Sequence, residues 1–196
     1  MRLLLSVICC AVMLSASAVS GNPRIGNMLI TATDTTKRAV KSTVPYPVLP
    51  ASVSRLFYLQ RDPNSNTVVY ELNDKHGQLD DDEPVHPYWV RYNEKGQREE
   101  LGYIQRKFAY GVSANSLGNN RYDIRLAAYK KFPLTLMKGV DGKYHIFATI
   151  SQRQAVISRI FVKIEGGTFW FPNVRYIEII ATDAQTGKEV TERFKP

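Results

Sequence analysis

The side chains that most often carry catalysis or bind metals are few in this sequence. Its three histidines are His76, His86 and His145, and none has a second histidine or a carboxylate at a metal-binding helical spacing such as H-E-x-x-H. His145 alternates with Tyr144 and Ile146 in a strand-like pattern, which is typical of a surface or rim position. A functional histidine would therefore need a partner that only the fold brings close. We predict no catalytic residue, no metal and no cofactor.

Two further patterns begin like functional motifs without completing them. The run Asp80–Glu83 supplies carboxylates, the ligands that Ca²⁺ prefers, but its spacing does not reproduce an EF-hand loop and Pro84 follows directly. A solvated turn between strands is the favoured interpretation. The segment Gly111–Asn115 begins like the nucleophile elbow of hydrolases, but Asn115 stands where the second glycine belongs.

A mixed group of aromatic and cationic residues is a stronger candidate for binding. Tyr103, Arg106, Lys107 and Tyr110 span two turns of a predicted helix, and such an edge suits a phosphate, a carboxylate or a sugar. The alternative is structural, with the tyrosines covering the sheet and the cations answering nearby glutamates. The predicted ligand-binding residues are Tyr103, Arg106, Lys107, Tyr110, Trp89 and Arg91.

Three consecutive large rings, Phe169, Trp170 and Phe171, precede Pro172. Side chains alternate across a strand, so all three cannot point to one side, and at least one should face outward or cover the end of a barrel. We predict a partner contact here. The alternative is a loop plug that seals the core, because large aromatic residues usually serve burial.

Most of the remaining sequence follows the two-residue period of β-strands. Tyr122, Ile124 and Leu126 alternate with charged residues, which predicts a strand half buried against a core. Turns that contain Gly142 and Gly187 predict hairpins between neighbouring antiparallel strands. The series amounts to about nine strands, so we predict a mainly β fold, either an antiparallel β-sandwich or a barrel.

One stretch breaks this period. Leu101, Ile104 and Phe108 recur at helical spacing, with acidic residues before them and basic residues after them, which predicts one short helix near residues 99–110. The spacing places these three residues on its apolar face. Gly111 is then predicted to end the helix in the left-handed conformation.

The amino-terminal residues predict export. Arg2 precedes an apolar run, Leu3–Leu14, and the small residues Ser15–Ala18 follow, which is the order of a secretory signal peptide. The run is shorter than the roughly 20 apolar residues that cross a bilayer. We therefore predict a signal peptide at 1–18, a flexible spacer rich in Pro, Thr and Ser at 19–52, and a single β domain at 53–196.

Charge and cysteine content narrow the function classes. The formal net charge is +8, but it forms no basic run, so no nucleic-acid partner is predicted. For an exported protein, weak attraction to anionic lipid or polysaccharide fits this charge better. Both cysteines, Cys9 and Cys10, lie in the predicted signal peptide. The mature chain is therefore predicted to have no disulfide and no thiolate nucleophile. It is also predicted to have no transmembrane segment.

Several runs of residues are similar to a known family. They are H-P-Y-W-V-R-Y at residues 86–92, L-G-Y-I-Q-R-K-F-A-Y-G at 101–111, and the closing segments Tyr176–Glu178 and Thr186–Lys188. The chain resembles an uncharacterised family of exported bacterial domains, known only as a domain of unknown function. The resemblance covers residues 55–196 and implies an envelope protein of Gram-negative bacteria, without implying an activity, a cofactor or a site.

The leading functional hypothesis is a non-enzymatic exported binding or accessory domain of the bacterial cell envelope, in the periplasm or outer envelope, whose partner is a protein, a glycan or a lipid. One alternative is a carrier for a lipid or another apolar ligand, which expects a hollow barrel. Its predicted lining residues are Tyr122, Ile124, Leu126, Ile146 and Ile160. The other alternative is a hydrolase whose site is assembled from scattered Asp, Glu and His, which expects two such groups with perturbed pKa values in one cleft.

Overall fold

The computed structural model describes residues 46–75, 78–168 and 172–196. The predicted signal peptide, most of the predicted spacer, His76 and the predicted partner contact lie outside these residues; that contact consists of Phe169, Trp170 and Phe171. The described chain is mainly β with one short helical segment, which confirms these two features of the predicted fold. None of its helices is long and apolar enough to span a membrane.

The described residues form thirteen strands and one helical segment. The strands are β1 (Arg55–Arg61), β2 (Thr67–Leu72), β3 (Asp74–Lys75), β4 (Gln78–Leu79), β5 (Val85–Val90), β6 (Arg98–Glu100), β7 (Val112–Gly118), β8 (Arg121–Leu126), β9 (Tyr129–Lys138), β10 (Tyr144–Ile150), β11 (Arg153–Gly167), β12 (Pro172–Asp183) and β13 (Glu189–Phe194). The helical segment begins as α1 (Tyr103–Gln105) and continues as a π-helical turn over Arg106–Tyr110.

Eleven of these strands form one large sheet that curls as a half-barrel. Its main path runs β6-β5-β2-β1-β11-β10-β9-β8-β7, while β12 and β13 extend the sheet from β11, and β3 pairs with β4 separately. Every neighbouring pair is antiparallel except β1 and β11, where Tyr58 lies opposite Arg159 in parallel register. The prediction of an antiparallel sheet is therefore wrong at this pair. No turn signal could indicate the pairing, because β2 to β10 intervene in the sequence.

A β-bulge at Ser158 divides β11 between two partners. The residues before it pair with β10, with Val156 opposite Phe147, and the residues after it pair with β1. The register with β12 shifts at the same place, and the Ser158 hydroxyl donates a hydrogen bond to the carbonyl of Ile180 at 3.0 Å. The extra residue changes which face each side chain takes. As a result, Ile157 and Ile160 both point into the core.

The hydrophobic core lies on one face of the sheet. Tyr122, Ile124 and Leu126 of β8 are buried there, as their alternation in the sequence predicts. The opposite face, which we call the outer face, carries a smaller set of buried residues that includes Phe147 and Phe161.

Residues at the end of the predicted spacer pack against the outer face. The Tyr46 ring meets that of Phe161 edge-on at 5.0 Å, and the Tyr46 hydroxyl donates a hydrogen bond to Asp62 at 2.7 Å. The Gln60 side-chain amide donates to the carbonyl of Pro47 at 2.9 Å. Gln60 is only 1% exposed, and its amide also donates to the Thr67 hydroxyl at 3.1 Å, so this buried polar group is paired.

Candidate functional site

The helical segment is closed tightly at both ends. The Gln105 side-chain oxygen accepts hydrogen bonds from the backbone N–H of Gly102 at 2.9 Å and from the indole of Trp89 at 3.2 Å. At the other end, the N–H of Gly111 donates to the carbonyl of Arg106 at 3.1 Å, which closes the π-helical turn.

Gly111 ends the segment for a different reason from the one predicted. Its φ of −66° is not left-handed, so the predicted left-handed terminator is wrong. A Cβ atom added at Gly111 would lie 2.0 Å from the carbonyl oxygen of Arg106. Glycine is required here because the backbone of the preceding turn approaches it too closely for any side chain.

Two of the predicted ligand-binding residues belong to the core. Trp89 and Tyr110 are 2% and 1% exposed, and their rings meet edge-on at 4.8 Å between centroids. The carbonyl of Tyr110 also accepts a hydrogen bond from the hydroxyl of Tyr70 at 2.9 Å. These residues anchor the helical segment to the sheet.

The residues that the helical segment presents outward are largely apolar. Tyr103, Ile104 and Phe108 are 70%, 51% and 39% exposed. Lys107 lies among them, with its Nζ 5.4 Å from the ring centre of Tyr103 and 5.3 Å from that of Phe108, and it donates to the Tyr103 hydroxyl at 3.1 Å. We call Tyr103, Ile104, Lys107 and Phe108 the helix face.

The helical spacing of Leu101, Ile104 and Phe108 does not mark the buried side of the segment. Leu101 is buried, but it precedes the segment, and Ile104 and Phe108 are exposed while Ala109 and Tyr110 are buried. The segment has barely two turns, and the second is a π turn, which changes the angular spacing from that of a regular α-helix. Sequence spacing alone could not anticipate this change of phase.

The two predicted cationic ligands other than Lys107 already have partners. Arg106 forms ion pairs with Glu83 at 2.7 Å and Glu100 at 3.1 Å. Arg91 forms ion pairs with Glu94 and Glu99, each at 3.2 Å. Of the six predicted residues, the structure thus brings together Tyr103 and Lys107 on an exposed surface, with Arg106 beside them in a charge cluster.

His86 joins the same charge cluster. It lies in β5, and its Nε2 is 2.9 Å from a carboxylate oxygen of Glu100. Although burial raises the pKa of Glu100, His86, Arg98 and Arg106 together hold that pKa below its ordinary value. Glu100 therefore remains ionised and ties the end of β6 to the helical segment.

A second candidate region, which the sequence did not predict, lies on the outer face. Phe147, Val156 and Thr182 stand opposite one another in β10, β11 and β12, and Met137 of β9 lies opposite His145, two residues before Phe147. The turn between β9 and β10 and the turn between β12 and β13 rise on either side. Together they enclose a groove of about 570 Å³, which we call the outer-face groove. Such a volume lies within the roughly 300–1,000 Å³ of small-molecule sites.

An imidazole–carboxylate pair lines this groove. His145 Nε2 lies 3.0 Å from both carboxylate oxygens of Asp141, and the backbone N–H of Lys143 donates to Asp141 at 3.1 Å. The Lys143 N–H and the His145 side chain hold the pKa of Asp141 below its ordinary value. Both residues are partly exposed. Met137 and Phe147 each alternate with core residues along their own strands, so the sequence could have predicted that both face outward. Only the strand register shows that they lie close together.

The acidic run does not converge on a metal site. Asp80 accepts hydrogen bonds from Lys75 at 3.0 Å and from the backbone N–H of Glu83 at 3.1 Å, which makes it part of a turn. Asp81 instead accepts the hydroxyl of Tyr122, and this hydrogen bond raises the pKa of Tyr122 to about 12. Among the described residues, which leave out His76, no group of three or more histidines and carboxylates could hold a metal ion.

The core side of the sheet is closely packed where an apolar ligand was expected. Leu126 and Ile160, two of the residues predicted to line a hollow barrel, border a cavity of about 30 Å³. This is roughly the volume that one water occupies in the liquid. The cavity gives no support to an apolar carrier.

In the part of the chain that is described, the strands form a mainly β domain with one short helical segment and no helical layer. Residues 57–193 match the family described as Domain of unknown function (DUF4833), so the chain belongs to this family. The predicted resemblance to an uncharacterised domain family is thereby confirmed. Comparisons with curated proteins and with solved structures find no match.

Proposed function

We propose that the chain is a non-enzymatic binding or accessory domain of the bacterial cell envelope, and that it docks onto a partner protein through the helix face. The observation that carries this proposal is the exposure of Tyr103, Ile104 and Phe108 on one short segment. Clustered apolar side chains on a folded domain mark interaction sites. The signal-peptide pattern at residues 1–18 supports export to the envelope.

The anchoring of the segment supports binding without rearrangement. Ala109 and Tyr110 hold one side of it in the core, and Gln105 and Arg106 tie it to Trp89 and to neighbouring carboxylates. A rigid segment loses little conformational entropy when its exposed residues are buried by a partner. Tyrosine adds a large ring with a polar end, a combination that is enriched at protein interfaces.

The local charges favour a protein partner over an anionic lipid surface. Lys107 is the single cation within the helix face, whereas Glu83 and Glu100 lie beside the segment and pair with Arg106. Binding to anionic membranes usually requires a larger apolar face together with several cations. One lysine between rings instead suits an apolar pocket with an acidic rim.

Site-specific photo-crosslinking in the producing cells tests this proposal. We expect a photoreactive phenylalanine at position 103 to form one protein adduct, and Ile104→Asp to abolish it because a charge would enter the apolar contact. The same photoreactive group at Val53, which is 93% exposed and remote in sequence, is the control. Equal adducts at both positions, or flotation of the purified chain with anionic vesicles, would contradict docking to a protein.

Export is tested separately by cell fractionation and amino-terminal sequencing. A mature chain that begins at Val19 in the envelope fraction is expected, because cleavage should follow Ala18. An uncleaved chain in the cytoplasm would contradict the envelope location while leaving the docking surface to be judged by crosslinking.

A further inference from the structure

We propose that the outer-face groove binds a neutral hydroxylated ligand with an apolar face, the chemistry of a saccharide ring. This inference concerns a different surface from the helix face and does not depend on it. It combines three features of the groove, which are its floor, its hydrogen-bonding groups and its charge balance.

The floor of the groove is apolar. Met137, Phe147 and Val156 line it, and Val140 extends the apolar lining from the β9–β10 turn. Phe147 is only 7% exposed, and its ring meets that of His145 edge-on at 6.2 Å between centroids. A ligand that covers this floor gains by removing apolar surface from water, which the C–H face of a sugar ring can do.

The polar groups at the wall accept hydrogen bonds. Asp141 is ionised and can only accept, so the hydrogen bond with His145 places the imidazole proton on Nε2. In the neutral imidazole this leaves Nδ1 as an acceptor. A purely apolar ligand would cover the remaining acceptor positions of these groups without pairing them, whereas ligand hydroxyls can donate to them.

The charges around the groove favour a neutral ligand. Asp141 already accepts hydrogen bonds from the backbone N–H of Lys143 at 3.1 Å and from His145 at 3.0 Å. On the opposite wall, Asp183 accepts the backbone N–H groups of Gln185 and Thr186 at 2.8 Å each and lies 3.5 Å from Arg153. Both carboxylates and the Arg153 cation thus have partners within the chain, so a charged ligand would have to compete with these partners.

The wall that carries the acceptors is held in place before any ligand binds. The N–H of Gly139 donates to the carbonyl of Lys143 at 2.8 Å, and the N–H of Gly142 donates to the carbonyl of Gly139 at 3.0 Å. The imidazole of His145 packs against Gly139 so closely that an added Cβ would lie 2.9 Å from its Cδ2. A preorganised wall improves binding because less freedom is lost.

Ligand-detected saturation-transfer NMR on the full chain tests the proposal, with cellobiose and N,N′-diacetylchitobiose as neutral probes and benzylamine and benzoate as charged probes. We expect at least one disaccharide to bind, and Asp141→Asn to weaken that binding about tenfold, because a charge-assisted acceptor is lost. Asp82→Asn is the matched control, since Asp82 is an exposed carboxylate that does not line the groove.

A second variant keeps the test informative if the turn responds to Asp141→Asn. Val156→Thr keeps the side-chain shape on the outer face while making the floor more polar, and a loss of several-fold in disaccharide affinity is expected. The proposal is overturned if neither disaccharide binds at millimolar concentration, if a charged probe binds more tightly, or if both groove variants bind as the Asp82→Asn chain does.

Discussion

The helix face and the outer-face groove are assembled in opposite ways. The helix face comes from one contiguous segment, whose exposed residues lie between positions 103 and 108. The groove takes its floor from four strands and its walls from two turns. A surface built from contiguous residues is accessible to sequence reasoning, whereas a surface built across strands depends on which strands pair and in which register, and the pattern of a single strand does not show this.

A comparison of two tyrosines in the helical segment gives the largest expected effect. Tyr110 is 1% exposed and packs against Trp89, while Tyr103 is 70% exposed. We expect Tyr110→Ala to lower the free energy of unfolding by about 3–5 kcal/mol, as for other buried aromatic residues. Tyr103→Ala should change it by no more than about 0.5 kcal/mol. Urea denaturation followed by circular dichroism measures both, and similar losses in the two variants would refute the assignment of anchor and exposed face.

The ends of the segment provide the next contrast. Gly111→Ala places a Cβ against the carbonyl oxygen of Arg106, so the π turn must open or shift. We expect a loss of about 3 kcal/mol, at the upper end of the usual cost of overpacking. Gly102→Ala is the control, because the nearest atom to its added Cβ is the Gln105 Oε1 at 3.7 Å. Thermal unfolding compares the two, and a Gly111→Ala chain as stable as the control would contradict the close approach.

Much of the fold could be predicted because local signals and the tertiary structure agree. The alternation of Tyr122, Ile124 and Leu126 places all three in the core, and the turns at Gly142 and Gly187 join antiparallel strands. Two-residue alternation depends only on which side of a strand each residue takes. It therefore remains valid even when the partner strand is unknown.

The features that escaped prediction depend on distant residues or on a change of period. The parallel contact of β1 with β11 joins strands that no turn connects. The π turn rotates Ile104 and Phe108 outward and Tyr110 inward. The bulge at Ser158 changes the alternation of β11 in mid-strand. In the last two cases the sequence pattern is that of a regular element, whereas the structure contains an irregular one.

The smallest expected effect concerns the wall of the groove opposite Asp141. The backbone N–H groups of Thr186 and Gln185 hold the pKa of Asp183 below its ordinary value. A lowered folded-state pKa means that this carboxylate stabilises the turn above the unfolded pKa, near 3.9, and that the contribution is lost as pH falls through the lower folded-state value. Amide chemical shifts of Gln185 and Thr186 between pH 6 and 2 should therefore move together, with a common midpoint below that of an exposed aspartate.

Two variants decide whether Asp183 is the titrating group. Asp183→Asn should remove the common transition, because the amide oxygen does not ionise over this range, whereas Asp82→Asn should leave it unchanged. A midpoint at or above the ordinary aspartate value, or a transition that survives Asp183→Asn, would mean that the two backbone N–H groups do not hold the carboxylate. The turn would then be a less fixed wall than that of Asp141 and His145, and ligand recognition in the groove would depend mainly on the β9–β10 side.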